Sequence, residues 1–276
     1  MFTKTLYQAV QKLAESTWSL SEADLERPWK WADYDEGVRF GFFRTYEELR
    51  TLAANSFRAL SPAQAAMAQY HLAFRDLQAV LIGVSDEDAT RKADEREWPI
   101  NRIIPHVIEA ERGFYAVIHY TIERSRSREE RPLEMPDEEF NRFSKSDNFA
   151  QVAESGSLQA MLEYYEGWHQ RVMETCTTIT HEEIGLPSVF WESKPYPIEF
   201  RLHRFDAHLR QHTIHAEKVL VKLGLEPTEA KRLLRLIYAA LAEVEGLALA
   251  GFVPQAELEN LAAGFETRRQ EMIRAL

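Results

Sequence analysis

The sequence predicts an all-α protein, and three features of its 276 residues carry that prediction. Glycine is scarce, with 11 residues in the whole chain. Long stretches combine charged and apolar side chains at helical spacing, and clusters of proline, glycine and serine separate them as turn signals. Hydrophobic residues make up 45% of the chain, which is enough to bury one large core or two small ones.

Apolar periodicity predicts a series of long helices. In chain order they cover residues 3–16, 36–59, 62–81, 99–125, 158–180, 198–223, 229–250 and 255–274. Ser61 and Gln64 predict a capping box at the start of the third helix, and Gly83 predicts its end. Gly224 predicts the end of the sixth helix in the same way. Pro105 lies in the first two turns of the fourth helix and predicts a local kink or a delayed start there.

The connections between these helices differ in length. Residues 28–31, with one proline and two tryptophans, predict an irregular packed connection. Residues 124–155 are polar and interrupted by prolines, and they predict the longest connection, with a short helix inside it. Residues 187–197 predict a loop. Residues 62–224 are therefore predicted to hold four long helices with one long crossover and one medium loop, which is the element list of a four-helix bundle.

Charge and cysteine content exclude several classes of function. The net charge is −11 and the isoelectric point is near 5.4, so the chain repels phosphate backbones and no nucleic-acid partner is expected. Cys176 is the single cysteine, which excludes an internal disulfide and a cysteine-rich zinc site and fits a reducing cytosol. No window approaches the roughly 20 apolar residues of a membrane span, and the first residues lack a signal-peptide core. A cytoplasmic protein without a membrane partner is expected.

The sixth predicted helix is rich in histidine. His208 and His212 are one turn apart, and His215 lies close to the same line. Phe205 and Val219 continue that line, which predicts that the imidazoles face the interior. A buried polar group without a partner costs roughly 1–3 kcal/mol, and two imidazoles one turn apart can ligate a single zinc, nickel, copper or iron ion. The alternative is a histidine-rich helix whose side chains only hydrogen-bond to neighbours or reach water.

A catalytic metal ion needs a third protein ligand and an open coordination position. His106 is the candidate, because Ile103 and Ala110 flank it on one helix face and predict that it points at the core. The other histidines are predicted to be structural, namely His71, His119, His169, His181 and His203.

These residues resemble the motifs of the DinB/YfiT-like superfamily of metalloproteins. Trp98 precedes His106 by eight residues, as a tryptophan precedes a metal-binding histidine in that family. His208 and His212 match the first part of the family's HxxxHxxQ motif. Gly224 follows His212 by twelve residues, where the family's helix ends in glycine.

The resemblance covers about residues 62–224 and implies a DinB-like metal-binding four-helix bundle. It implies that His106, His208 and His212 ligate one divalent transition metal, with zinc or nickel expected. His215 stands where the family often has glutamine, so it would either orient a ligand from outside the ligand set or compete as a ligand. Glu109, one turn beyond His106, is a candidate for a supporting or base role, the alternative being a solvated helix residue.

The terminal segments, residues 1–60 and 227–276, are predicted to add helices before and after this domain. Residues 1–60 echo the DinB-like pattern, with Arg44 where the histidine would stand. The echo suggests a degenerate, metal-free second bundle. The alternative is that the four terminal helices extend a single core.

Relatives in the family include thiol-dependent transferases and isomerases that use mycothiol or bacillithiol. The resemblance therefore implies a metal-dependent S-transferase that joins a low-molecular-weight thiol, as co-substrate, to a small electrophilic substrate. It also suggests a homodimer. The competing hypothesis is a non-catalytic metal-binding or stress-associated helical module.

Overall fold

The structure is a computed structural model that describes residues 4–31, 34–127, 130–192 and 194–276. It is 71% helical, with twelve helices and four short strands in these ranges. The predicted all-α class is therefore confirmed. None of the described helices combines the length and the apolar character needed to cross a membrane.

Most predicted helices form close to their expected positions. In chain order the helices are α1 (Lys4–Thr17), α2 (Glu22–Leu25), α3 (Val38–Ser56), α4 (Pro62–Val80), α5 (Asp86–Thr90), α6 (Ile100–Arg126), α7 (Asp137–Ser144), α8 (Phe149–Ser155), α9 (Leu158–Cys176), α10 (Ile198–Lys222), α11 (Glu229–Leu249) and α12 (Gln255–Ala275). The strands are β1 (Pro28–Trp31), β2 (Tyr34–Gly37), β3 (Pro187–Ser188) and β4 (Tyr196–Pro197). The predicted start of the first helix at Thr3 lies outside the described residues.

The chain divides into two compact units. The first comprises Met1–Ala59, His71–Val84 and Gly224–Leu276, and the second comprises Leu60–Tyr70 and Ser85–Leu223. Residues 71–84 thus group with the terminal segments, although the predicted domain of residues 62–224 included them. The interpretation of the terminal segments as a degenerate bundle stays a prediction.

The first unit is built around four of its helices. In it, α1 packs against α12, and α3 packs against α11 and α12. These contacts bury a continuous apolar cluster, which includes Leu6, Val10, Phe42, Leu241 and Phe265. Burial of such side chains at roughly 25 cal/mol per Å² is the main source of stability for a helical unit.

A buried ion pair explains why residues 71–84 belong to the first unit. Arg75 donates from Nε and Nη2 to the two carboxylate oxygens of Glu245, at 2.8 and 3.0 Å. His71 Nε2 lies 2.8 Å from the same carboxylate, and all three residues are fully buried. Burial opposes ionisation, but Arg75 and His71 outweigh it and lower the pKa of Glu245 to about 2. A charge this deep in the core is stable only with its partners in place.

The two ends of α4 follow the predicted signals. Ser61 N donates to Gln64 Oε1 at 3.0 Å, and Gln64 N donates to Ser61 Oγ at 3.2 Å, so the capping box is present. Gly83 follows the helix with a φ of +70°, and a Cβ there would lie 2.4 Å from the Trp18 ring. A larger residue at position 83 would be strained and would displace this tryptophan.

The segment around Pro28 is more regular than predicted. Instead of an irregular connection, β1 and β2 form an antiparallel pair in which Pro28 is opposite Gly37. Strand alternation buries Trp29 and exposes Lys30, and the Trp29 ring lies 6.3 Å from that of Phe40. Burial of a large aromatic ring therefore fixes a short hairpin where the composition alone indicated only a packed loop.

In the second unit, α6 packs against α10 and α9, and α5 packs against α6 and α9. Pro105 does not delay α6, because the helix begins at Ile100, where the N–H groups of Arg102 and Ile103 donate to the Pro99 carbonyl at 2.9 and 3.1 Å. The helix then continues through Pro105 to Arg126.

The long connection of the second unit holds two short helices, α7 and α8, where one was predicted. Their apolar side chains explain this regularity. The Phe140 ring lies 6.2 Å from that of Phe190, and the Phe143 ring lies 6.1 Å from that of Trp168. Aromatic contacts of this kind anchor a segment that is otherwise polar.

We predict that Glu245→Gln lowers the free energy of unfolding by about 3–5 kcal/mol, because it leaves Arg75 buried without its carboxylate. The measurement is urea unfolding followed by far-ultraviolet circular dichroism. Glu243→Gln on the same helix is the matched control. Glu243 pairs with Arg50 at an exposed position, so its loss is expected to cost less than about 1 kcal/mol. Equal effects of the two substitutions would contradict the assigned role of the buried pair.

Candidate metal centre

Two helices of the second unit supply the histidines of the candidate site. On α10, His208 and His212 are one turn apart, and each is only 8% exposed. Phe205 and Val219 on the same stripe are fully buried, so the stripe faces the interior as predicted. The packing of α6 against α10 brings the half-buried His106 to the same place.

The three rings converge closely. Ring centres are 5.4 Å apart for His106 and His208, 4.8 Å for His106 and His212, and 4.5 Å for His208 and His212. One nitrogen from each ring can be chosen so that all three lie within 4.8 Å of one another. Bonds of about 2.0–2.1 Å to a tetrahedral ion separate ligand nitrogens by about 3.4 Å. Small side-chain rotations would therefore close the group around one ion.

The electrostatic state of these rings suits a metal ligand. Burial, and then the neighbouring rings of His212 and His106, lower the pKa of His208 to about 3. Burial, followed by His106 and His215, lowers the pKa of His212 to about 4. Both rings are therefore neutral near pH 7, and neutral imidazole is the form that ligates a transition metal.

Unsatisfied polar atoms also point to a missing partner. The Nδ1 atoms of His208 and His212 are buried and have no hydrogen-bond partner among the described residues. Leaving such atoms unpaired costs roughly 1–3 kcal/mol each, and coordination of a cation through these nitrogens would remove that cost. Three imidazoles form a donor set suited to zinc, nickel, copper or iron. The residues present therefore fit a divalent transition metal, and this three-histidine group could hold one.

His215 lies beside the group but is held by another partner. Its Nε2 is 3.1 Å from a carboxylate oxygen of Glu97, and its ring centre is 6.1 Å from that of His212. Glu97 also accepts from Lys218 and Lys222, each at 2.8 Å, and these bonds lower its pKa to about 2. His215 is thus directed toward an ionised carboxylate, and it is not part of the converging trio.

The eight-residue spacing between Trp98 and His106 corresponds to a direct contact. The two rings meet edge to face with centres 5.2 Å apart. The indole also lies 4.4 Å from the Arg102 guanidinium and 6.2 Å from the His215 ring, measured from its ring centre. Trp98 therefore limits the orientations that His106 can adopt.

The other candidate residues take different positions. Glu109 is exposed on α6 and forms no hydrogen bond or ion pair with the described residues. His71 is buried in the ion pair of the first unit, and His169 is buried with its ring 4.5 Å from that of Tyr70. The remaining histidines, His119, His181 and His203, have solvent-exposed side chains.

An aromatic cluster borders the trio, and the sequence did not single it out. The Phe114 ring lies 5.9 Å from that of His208, 6.2 Å from Phe190 and 5.6 Å from Trp191. Gly113 permits this approach, because a Cβ there would lie 2.6 Å from the Phe190 ring. Phe190 and Trp191 lie in a loop, where helical periodicity gives no signal of what they contact.

Sequence analysis also missed a buried carboxyl on α6. Glu111 is fully buried and accepts hydrogen bonds from the Tyr70 and Tyr165 hydroxyls at 2.5 and 2.7 Å. Burial raises the pKa of Glu111 to about 8, against the opposing effect of these two bonds. The sequence signal for this buried carboxyl was a glutamate among apolar residues of α6. Spacing alone, however, does not show that Glu111 is buried and Glu109 is exposed.

We predict that Glu111→Gln changes the pH dependence of stability. Below about pH 4.5, the ordinary value of the Glu pKa, the carboxyl is protonated in both folded and unfolded chains. As the pH rises from there to about 8, the unfolded carboxyl ionises while the folded one stays neutral, so wild-type stability falls by about 1 kcal/mol per pH unit. The variant lacks this loss, which urea unfolding at a series of pH values measures.

Glu109→Gln is the matched control, because it removes an exposed carboxyl from the same helix and should leave the wild-type pH profile unchanged. Parallel profiles for wild type and Glu111→Gln would show that Glu111 is ionised in the folded chain.

The comparison with known protein families agrees with this site. The sequence model of the DinB superfamily matches residues 69–216, a range that includes all three histidines of the trio. No curated protein and no solved structure matches the chain. The match covers more than half of the 276 residues, and the chain therefore belongs to the DinB superfamily.

Proposed function

We propose that the protein binds one divalent metal ion, zinc or nickel, through His106, His208 and His212, and uses it in a thiol-transfer reaction. The reaction joins the sulfur of a low-molecular-weight thiol to a small electrophilic substrate. The observation that carries the proposal is the convergence of three histidines, two of which have buried Nδ1 atoms with no partner in the described part of the chain. Membership of the DinB superfamily supports it.

The number of ligands favours catalysis over a purely structural site. Structural zinc sites use four protein ligands, whereas catalytic sites use three and keep one position open. His215 is the nearest candidate for a fourth ligand, and its pairing with Glu97 supports an open position. When bound there, the ion would supply Lewis acidity that lowers the pKa of a thiol.

The chain itself lacks a suitable nucleophilic sulfur. Cys176 is its single cysteine, and its side chain is fully buried. Burial raises the pKa of the Cys176 thiol to about 12, so it is not ionised near pH 7. The sulfur nucleophile would therefore come from a separate small thiol.

The roles of the protein groups follow from their positions. His106, His208 and His212 hold the ion, and Trp98 fixes the ring of His106 by edge contact. The Phe114 ring excludes water from one side of His208. In the transfer, the carbon–sulfur bond forms as the leaving group departs with its electron pair, and the thiol proton passes to solvent.

We predict that His208→Ala abolishes stoichiometric zinc binding. Removal of a ligand should weaken affinity by more than the roughly 10–100-fold that loss of a supporting contact costs. The measurement is elemental analysis of the dialysed protein after loading with zinc. His203→Ala is the matched control, because His203 is exposed on the same helix and its loss should leave zinc content unchanged. An unchanged zinc content in His208→Ala would reject the assigned ligand set.

We predict that the zinc-loaded protein accelerates the conjugation of 1-chloro-2,4-dinitrobenzene with at least one thiol among glutathione, coenzyme A, mycothiol and bacillithiol. Chloride leaves as the thioether forms, and absorbance follows the product. Chelation of zinc and His208→Ala should both reduce the rate to background. Zinc added back should restore the wild-type rate and leave the variant at background.

A second variant separates this proposal from the non-catalytic alternative. His215→Gln should retain stoichiometric zinc, because His215 pairs with Glu97. If His215→Gln loses zinc as His208→Ala does, and no thiol reacts, the site has four protein ligands and the ion only stabilises the helices.

A further inference from the structure

Arg204 is a half-buried arginine without a counter-ion on the helix that carries the metal ligands. It lies on α10, one turn before His208. Its Nε atom is buried without a hydrogen-bond partner, and among the described residues the guanidinium forms no hydrogen bond or ion pair. Partial burial of a charge without a partner carries a desolvation cost that only an added interaction can offset.

The other buried arginines of the second unit have the partners that Arg204 lacks. Arg112 donates to Asp147 Oδ2 at 2.5 Å and to the Ser144 carbonyl at 2.8 Å. Arg201 donates to Glu192 Oε2 at 2.7 Å and to Ser188 Oγ at 3.1 Å. This unit therefore supplies a carboxylate to each of these two guanidinium groups, whereas none of the described residues supplies one to Arg204.

The unpaired guanidinium lies beside the metal centre. Its carbon is 5.8 Å from the centre of the Phe114 ring, which in turn lies 5.9 Å from that of His208. The same phenyl ring contacts Trp191, whose side chain is 58% exposed. A ligand bound to Arg204 would thus lie close to both the exposed ring of Trp191 and the three-histidine group.

We propose that Arg204 binds the carboxylate of a small organic substrate whose apolar part lies against Trp191, next to the metal centre. This inference rests on the proposed function, because it assigns the carboxylate to a reactant of that site.

The guanidinium geometry and the local charge favour a carboxylate over a phosphate. The planar fork of arginine matches the two oxygens of a carboxylate. A single guanidinium balances a single negative charge, and the other cations of α10 are already paired with carboxylates. Lys218 and Lys222 pair with Glu97, and Arg210 pairs with Asp206 at 2.7 Å.

The test compares two probes of the same shape, 3-phenylpropanoate and its uncharged amide, 3-phenylpropanamide. Their affinities are measured by titration calorimetry on the full chain, first stripped of metal and then loaded with zinc. The metal-free protein should bind the carboxylate about tenfold or more tightly than the amide, since a hydrogen bond to a charged group contributes that much. A preference seen without metal cannot come from coordination of the carboxylate to zinc.

Three variants test whether the preference comes from Arg204. Arg204→Gln should bind both probes equally, whereas Arg210→Gln, which removes the same charge from the same helix, should keep the preference. Arg204→Lys keeps the charge but loses the fork, and it should retain only part of the preference. Far-ultraviolet circular dichroism and zinc content confirm that the variants are folded and still bind metal.

The possible outcomes separate this inference from the function on which it rests. No preference in the metal-free wild type, or a preference that survives in Arg204→Gln, overturns the role of Arg204. A carboxylate preference that depends on Arg204 supports the inference, even if the conjugation assays fail. In that case, the failure concerns the reaction and leaves the anion-binding residue in place.

Discussion

The convergence of three imidazoles at one point, two of them buried, is the constraint on which the candidate site depends. Two of these rings lie on α10, and their Nδ1 atoms have no partner among the described residues. Hydrophobic packing holds the rings together but cannot satisfy those nitrogens, because the surrounding stripe is apolar. A cation shared by the three rings could satisfy them together. The packing of α6 against α10 therefore builds a group that could hold one metal ion.

Two buried carboxyl groups, by contrast, have their partners within the chain. Arg75 and Glu245 neutralise each other in the first unit. Glu111 has no nearby cation, and burial keeps it protonated while two tyrosines donate to its oxygens. Each of these groups is complete within its own unit. The Nδ1 atoms of His208 and His212 and the Nε atom of Arg204 have no hydrogen-bond partner among the described residues, and unsatisfied buried groups are concentrated at functional sites more than in structural cores.

Helical spacing and the family resemblance were enough to predict which histidines converge, since an HxxxH pair on an apolar stripe can be read from the sequence and the Trp98 to His106 spacing located the third histidine. The lack of a counter-ion at Arg204 could not be predicted, because it depends on the side chains that the neighbouring elements place around the guanidinium. Glu111 and Glu109 lie on the same helix, and their spacing in the sequence does not distinguish their environments. Packing buries the side chain of Glu111 and leaves that of Glu109 exposed. The β1–β2 hairpin was missed because a single buried tryptophan, Trp29, fixes it.

The charge balance around the site argues for anionic reactants in a protein that is acidic as a whole. Neutral imidazoles cancel none of the charge of a divalent ion, whereas carboxylate or thiolate ligands would. The unpaired Arg204 adds a further positive charge, and Glu97 is already neutralised by lysines. A net charge of −11 repels large anions at long range, but a small thiolate or carboxylate that enters the site meets a locally positive field. Under the proposed function, an ion held by three neutral ligands would keep its full charge and would favour the ionised form of a thiol, which is the reactive one.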